Sequence, residues 1–178
     1  MTTKENRKKI IADVASRINT NPSWLDALIN FETAGSYSPT IKNPLSSARG
    51  LIQVIDSTAK SEFNVSDSLE LIEKYPTFES QMYNVVLPYL EKYKPFPTKQ
   101  SLYMAVFYPK YRNADPGTQF PEYVQKVNPG ISTVQDYIDY VDILISKATM
   151  HFPFETVPVL IFLVLGIGTV YLWNKKRN

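Results

Sequence analysis

The chain has 178 residues, 44% of them hydrophobic and 20% charged, which suits one packed core and excludes disorder. Its 19 Lys and Arg nearly balance 17 Asp and Glu, and Lys175, Lys176 and Arg177 crowd the last four positions. The rest is close to neutral, so no specific nucleic-acid partner is expected. With no cysteine and His151 as the one histidine, thiolate metal sites, disulfides and multi-histidine sites are excluded. Chemistry falls to carboxylates, hydroxyls, amides and aromatics.

Residues Met1 to Lys9 are charged and no long apolar run follows, so no signal peptide is expected. Ile10, Ile11, Val14, Ala15 and Ile18 mark the buried face of a first helix. Asn21 before Pro22 caps and opens a second helix, which runs through Thr33 and is closed by Gly35. Residues 36–49 are rich in Ser, Pro and Asn and read as a functional loop, with room for short extended pieces. Phe78, Met82, Val85, Val86 and Tyr89 keep helical spacing, with a kink expected at Pro88. Leu102, Ala105 and Val106, joined by Tyr103 and Phe107, mark a further buried helix. Ser132 and Gln135 form an expected capping box. Behind it, Val134, Tyr137, Ile138, Val141, Leu144, Ile145 and Ala148 make the clearest amphipathic stripe, ending near Lys147. Residues 1–150 are therefore expected to form one mainly α-helical body.

Composition then changes. Residues 151–156 read as a linker, with His151 beside the membrane interface rather than acting as a pH switch. Val157 to Trp173 carries no charge and falls at the short end of the roughly 17 to 25 residues that span a bilayer. Val157, Leu160, Phe162 and Leu165 supply its apolar surface, Trp173 an interfacial ring, and residues 174–178 a basic tail. A single-pass C-terminal anchor in a lipid bilayer is expected. The competing possibility is a buried helix of the body, but a segment apolar all round lacks the polar face such helices keep. Orientation stays open, because the missing signal and the basic tail point opposite ways.

Glu32 stands on the wrong face of its helix. Leu25, Leu28 and Ile29 define the apolar side, and Glu32 continues it in the last turn. Desolvation and the helix dipole both favour the protonated acid there, the state a general acid requires. The alternative is a glutamate at a frayed helix end that reaches solvent. Asp26, six residues earlier, falls on the other side of the helix, and Asp56 opens a new one.

The stretch Phe31-Glu32-Thr33-Ala34-Gly35, followed by Ala48-Arg49-Gly50-Leu51-Ile52-Gln53-Val54 and Ser57-Thr58-Ala59, resembles the signature of lytic transglycosylases. The resemblance, which extends to goose-lysozyme-like enzymes, is closest to the versions carried by phage virions and phage lysis cassettes. Thr33 stands where the family has Ser, Ser47 where it has Gly, Ile52 where it has Met, and Asp56 where it has Pro. Leu102 to Pro109 is similar to the family's second, tyrosine-bearing helix, with Pro109 where Asn is common.

The resemblance implies a lysozyme-like domain, mainly α with minimal β, acting on the glycan strand of peptidoglycan without a cofactor. Glu32 would be the single catalytic acid and base. Gln53 would bind an N-acetyl group, and Gly50 would let the backbone approach a sugar ring. Tyr108 would hydrogen-bond Glu32 or the substrate, and Asn43 or Ser46 would supply the remaining polar contact. Tyr37, Tyr103, Phe107 and Tyr111 are candidates for the groove wall, and Arg49 for a substrate carboxylate or for solvent. Glu32 would protonate the oxygen between N-acetylmuramic acid and N-acetylglucosamine, then deprotonate the sugar's 6-hydroxyl as it closes a 1,6-anhydro ring. Hydrolysis by water is the other product route. A virion component of an internal membrane, beside capsid proteins, is the expected setting; the bacterial envelope is the other. The rival class is a non-catalytic wall-binding or capsid–membrane linker protein, whereas a holin-like pore fits poorly behind so large a body.

Overall fold

The computed structural model describes residues 2–149. His151, the linker, the segment 157–173 with Val157, Leu160, Phe162, Leu165 and Trp173, and the basic tail lie outside the described residues, as do the side chains of Leu144, Ile145 and Ala148. Among the described residues no helix is long and apolar enough to cross a membrane.

Helices dominate. α1 (Lys4–Arg17) starts where the Thr3 side chain accepts from the Asn6 N–H, and it buries Ile10, Ile11, Val14 and Ala15, with Ile18 just beyond. α2 (Pro22–Glu32) opens with Asn21 Oδ1 accepting from the Ser23 N–H at 2.8 Å, and Pro22 sits where no intrahelical donor is needed. α3 (Asp56–Phe63) and α4 (Ser68–Lys74) pack against each other.

α5 (Phe78–Gln81) and α6 (Leu87–Glu91) are two ends of one rod, joined by a π-helical stretch, Met82–Val86. The Leu87 N–H reaches back to the Met82 carbonyl, one residue further than in an α-helix. Pro88 brings no N–H, so the carbonyls before it are free to change partners. The disturbance expected at Pro88 is thus displaced into the turn before it. α7 (Lys99–Phe107) is buried on every side: each residue from Ser101 to Phe107 is inaccessible. α8 (Glu122–Val127) is short, and α9 (Val134–Thr149) closes the body by packing on α2 and α7.

One boundary differs from the sequence expectation. The capping box at α9 is Thr133 with Asp136, one residue past Ser132 and Gln135. Asp136 Oδ2 accepts from both the Ser132 and Thr133 N–H groups, at 3.0 and 2.8 Å. A carboxylate accepts more strongly than an amide oxygen, so it takes the capping role and Gln135 turns to Asp139.

Among the described residues there is no sheet. Extended structure is limited to isolated bridges, of which Lys42 with Arg49 and Arg49 with Val54 fall in the loop between α2 and α3. That loop is a small meander. Arg49 and Val54 exchange both backbone hydrogen bonds, at 3.0 and 2.9 Å, while the Asn43 N–H reaches the Ala48 carbonyl and the Gly50 N–H the Ile41 carbonyl.

Candidate active site

The end of α2 is built so that it does not fray. Both the N–H and the Oγ1–H of Thr33 donate to the Ile29 carbonyl, at 3.1 and 2.6 Å. Ala34 and Gly35 then take left-handed conformations, and the Gly35 N–H returns to the Asn30 carbonyl at 2.7 Å. Thr33 Oγ1 also accepts from the Tyr37 N–H, fixing the exit of the chain. The threonine at position 33 is therefore a structural cap.

This locked terminus leaves Glu32 only 3% exposed. Its Oε1 is enclosed and has no hydrogen-bond partner. Burial pushes the carboxyl up from its ordinary 4.5 to about 8, so the acid keeps its proton at neutral pH. The solvent-reaching alternative fails because no loose last turn exists to carry the side chain outward.

The meander holds the amides. Gln53 is buried, with a left-handed backbone, and its Nε2 donates to the Gly50 carbonyl at 2.9 Å. That bond occupies one of the two N–H donors of its amide, while Oε1 is buried and unpaired. Asn43 shows the converse: Oδ1 accepts from the Leu45 N–H at 2.8 Å, and Nδ2 is buried without a partner. Between the two candidates for the remaining polar contact, Asn43 thus has a spare donor. Ser46 is half-buried, and its Oγ accepts from the Ala48 N–H within its own turn. Arg49 is half-buried rather than fully solvated, with Nε enclosed and unpaired.

Gly50 is explained differently from the sequence expectation. A Cβ there would lie 2.7 Å from Gln81 Oε1, and the backbone has φ +79°. The missing side chain makes room for Gln81.

The aromatic residues also rearrange the expectation. Tyr108 caps the end of α7, and its hydroxyl pairs with the Tyr123 hydroxyl at 3.1 Å rather than with Glu32. Burial, then the bond to Tyr123, raises its phenol above the ordinary value. Tyr103 and Phe107 are inaccessible and cannot line a groove. Tyr111 is half-buried, its ring edge-on to Tyr108 at 4.7 Å. Tyr37 donates to Asp26 at 2.9 Å, accepts from Asn30 Nδ2 at 3.0 Å and lies under the Arg7 guanidinium; burial first, then these groups, leaves its phenol at about 12. It braces α2 against α1. Asp56 is likewise occupied, accepting from the N–H and hydroxyl of Ser68.

Tyr137, from the α9 stripe, lies within electrostatic reach of Glu32, as does Tyr89. The Tyr137 ring stacks on Phe107 at 4.1 Å and meets Phe31 edge-on at 5.8 Å. Its hydroxyl is buried and unpaired, and its phenol is raised well above the ordinary value by burial, then by the Glu32 carboxylate. The periodicity that identifies a core stripe gives no sign that one of its rings lies within electrostatic reach of an acid. Because an unpaired buried hydroxyl costs about 1 kcal/mol or more, Tyr137→Phe is expected to raise the melting temperature by a few degrees in a thermal denaturation scan.

Among the described residues no hydrogen bond joins Glu32 to Gln53, Asn43 or Tyr108, and no group of His, Asp or Glu is arranged to hold a metal ion. What the candidates share is unmet capacity: a protonated acid, an amide acceptor and an amide donor, each buried. The chain matches no protein-family model, no curated protein and no solved structure.

Proposed function

We propose that this chain cleaves the glycan strand of peptidoglycan between N-acetylmuramic acid and N-acetylglucosamine, as a lytic transglycosylase with Glu32 as its single acid and base. The observation that carries the proposal is the buried, unpaired Glu32 carboxyl, held protonated near neutral pH by desolvation. Gln53 Oε1 and Asn43 Nδ2 support it, since an acetamido group offers one N–H and one carbonyl to such a pair.

Glu32 donates its proton to the glycosidic oxygen as the bond breaks and positive charge builds on the muramic ring. The substrate's own acetamido oxygen shares that charge, so no second carboxylate is needed beside Glu32. The ionised Glu32 then takes the proton of the 6-hydroxyl, which closes the anhydro ring. Attack from within the same sugar gains from high effective concentration. In the same proposal residues 157–173 tether the enzyme to a membrane, that of a virion that must open a host wall, with capsid proteins alongside.

The full-length chain incubated with isolated cell walls tests this. Wild type should release fragments and Glu32→Gln should not. Mass spectrometry separates anhydro ends from reducing ends by one water. A chain acting through a protonated acid should work below pH 8 and lose rate as pH rises through about 8. Tyr108→Phe should stay within about threefold of wild type, the scale of one neutral exposed hydrogen bond. The engagement of Tyr108 with Tyr123 instead of the acid favours one other reading, a wall-binding protein without turnover. Binding of walls by wild type with no fragment released would select it.

A further inference from the structure

We infer that Gln81 is a positioning residue: its side-chain amide clamps the Gly50–Gln53 turn to the loop after α2, and thereby sets the unpaired oxygen of Gln53. The inference rests on the proposed function for what Gln53 binds, but the clamp itself is local geometry.

Gln81 lies at the last position of α5, where the π-helical stretch begins. It is buried, and both ends of its amide are used across long sequence separations. Oε1 accepts from the Leu51 N–H at 3.0 Å, and Nε2 donates to the Pro39 carbonyl at 2.6 Å. One side chain thus holds two segments that have no regular sheet to hold them. The Gly50 N–H bond to the Ile41 carbonyl, 2.9 Å long, is one further tie between them, beside the bridge of Lys42 with Arg49.

From there the constraint passes to Gln53 in one step. Both the Gln53 N–H and its Nε2 donate to the Gly50 carbonyl, at 3.2 and 2.9 Å. Leu51 N and the Gly50 carbonyl belong to the same peptide unit. Fixing that peptide through Gln81 therefore fixes the acceptor that orients the Gln53 amide. The absent side chain at Gly50 lets Gln81 come close enough. A π-helical turn is less favourable than an α-turn and commonly marks a place where one side chain must be re-aimed.

Gln81→Leu and Gln81→Glu test the clamp, with wild type alongside, using soluble glycan strands for cleavage and an N-acetylglucosamine oligomer for binding. Gln81→Leu should raise KM and the oligomer's dissociation constant about tenfold and speed hydrogen exchange at the Leu51 amide. Gln81→Glu provides a second arm if the leucine variant fails to fold. A neutral glutamic acid can accept from Leu51 and donate to Pro39, whereas a carboxylate only accepts. Its activity relative to wild type should therefore recover as pH falls, a rescue that a packing role would not produce. A folded Gln81→Leu with unchanged KM and Leu51 exchange, or a Gln81→Glu ratio flat with pH, would overturn the clamp alone. If wild type binds the oligomer without cleaving, the proposed function fails and the binding constants of the variants still decide the clamp. If wild type does neither, the proposed function fails, and Leu51 exchange in Gln81→Leu still decides the clamp.

Discussion

Glu32→Gln is expected to abolish cleavage and to make the protein more stable. A positioned general acid contributes about 10²–10⁴-fold to rate, and glutamine has the same shape without a proton to give. The stability gain follows from the sign of the pKa shift. Glu32 titrates at about 8 when folded and near 4.5 when unfolded. Between those values the folded state holds a proton that the unfolded state has lost, so wild-type stability falls as pH rises from 4.5 through 8 and levels above it. At pH 7 the gap corresponds to about 3 kcal/mol, an order-of-magnitude figure that glutamine, neutral in both states, avoids. Chemical denaturation of both forms should therefore give equal stabilities below pH 4.5 and a widening advantage for the variant up to pH 8. Equal stabilities at pH 7 would mean that the carboxyl is already ionised in the folded chain.

The second large effect is at Gly50. A methyl group there meets Gln81 Oε1 at 2.7 Å on a backbone with φ +79°. The left-handed conformation costs a non-glycine residue about 1 kcal/mol. The contact cannot be relieved cheaply, because Gln81 is buried and held at both ends of its amide. Displacing it leaves the buried Leu51 N–H unpaired, for about 1–3 kcal/mol more. Gly50→Ala should lose roughly 3 kcal/mol, read as a drop in the denaturation midpoint. Gly35→Ala serves as a control: it shares the left-handed backbone but meets nothing within 4 Å, so it should lose only the conformational part.

What could be read from the sequence is what depends on near neighbours. The buried face of α1, the Asn21-Pro22 opening of α2 and its closure around Gly35 follow from spacing and backbone preference, and the structure has them. Glu32 on the apolar face of α2 is likewise buried, as periodicity implies. Long-range partners were not legible. Gly50 needs its bare backbone because of a glutamine thirty-one positions away, and no local pattern announces that. Tyr108 occupies the position that a motif suggests for a partner of the acid, yet its backbone leaves α7 at that residue and turns the ring toward Tyr123. Tyr137 stands in a stripe that looks like plain core and comes within electrostatic reach of Glu32 because α9 packs on α2. The shift of the α9 cap by one residue reflects a competition between a carboxylate and an amide, which spacing alone does not rank.

The carbon-13 signal of the Glu32 carboxyl, followed by NMR through a pH titration of the folded chain, tests the central claim most directly. Loss of its proton at about pH 8 is the predicted result; a midpoint near 4.5, the ordinary value for a wetted glutamate, would contradict it.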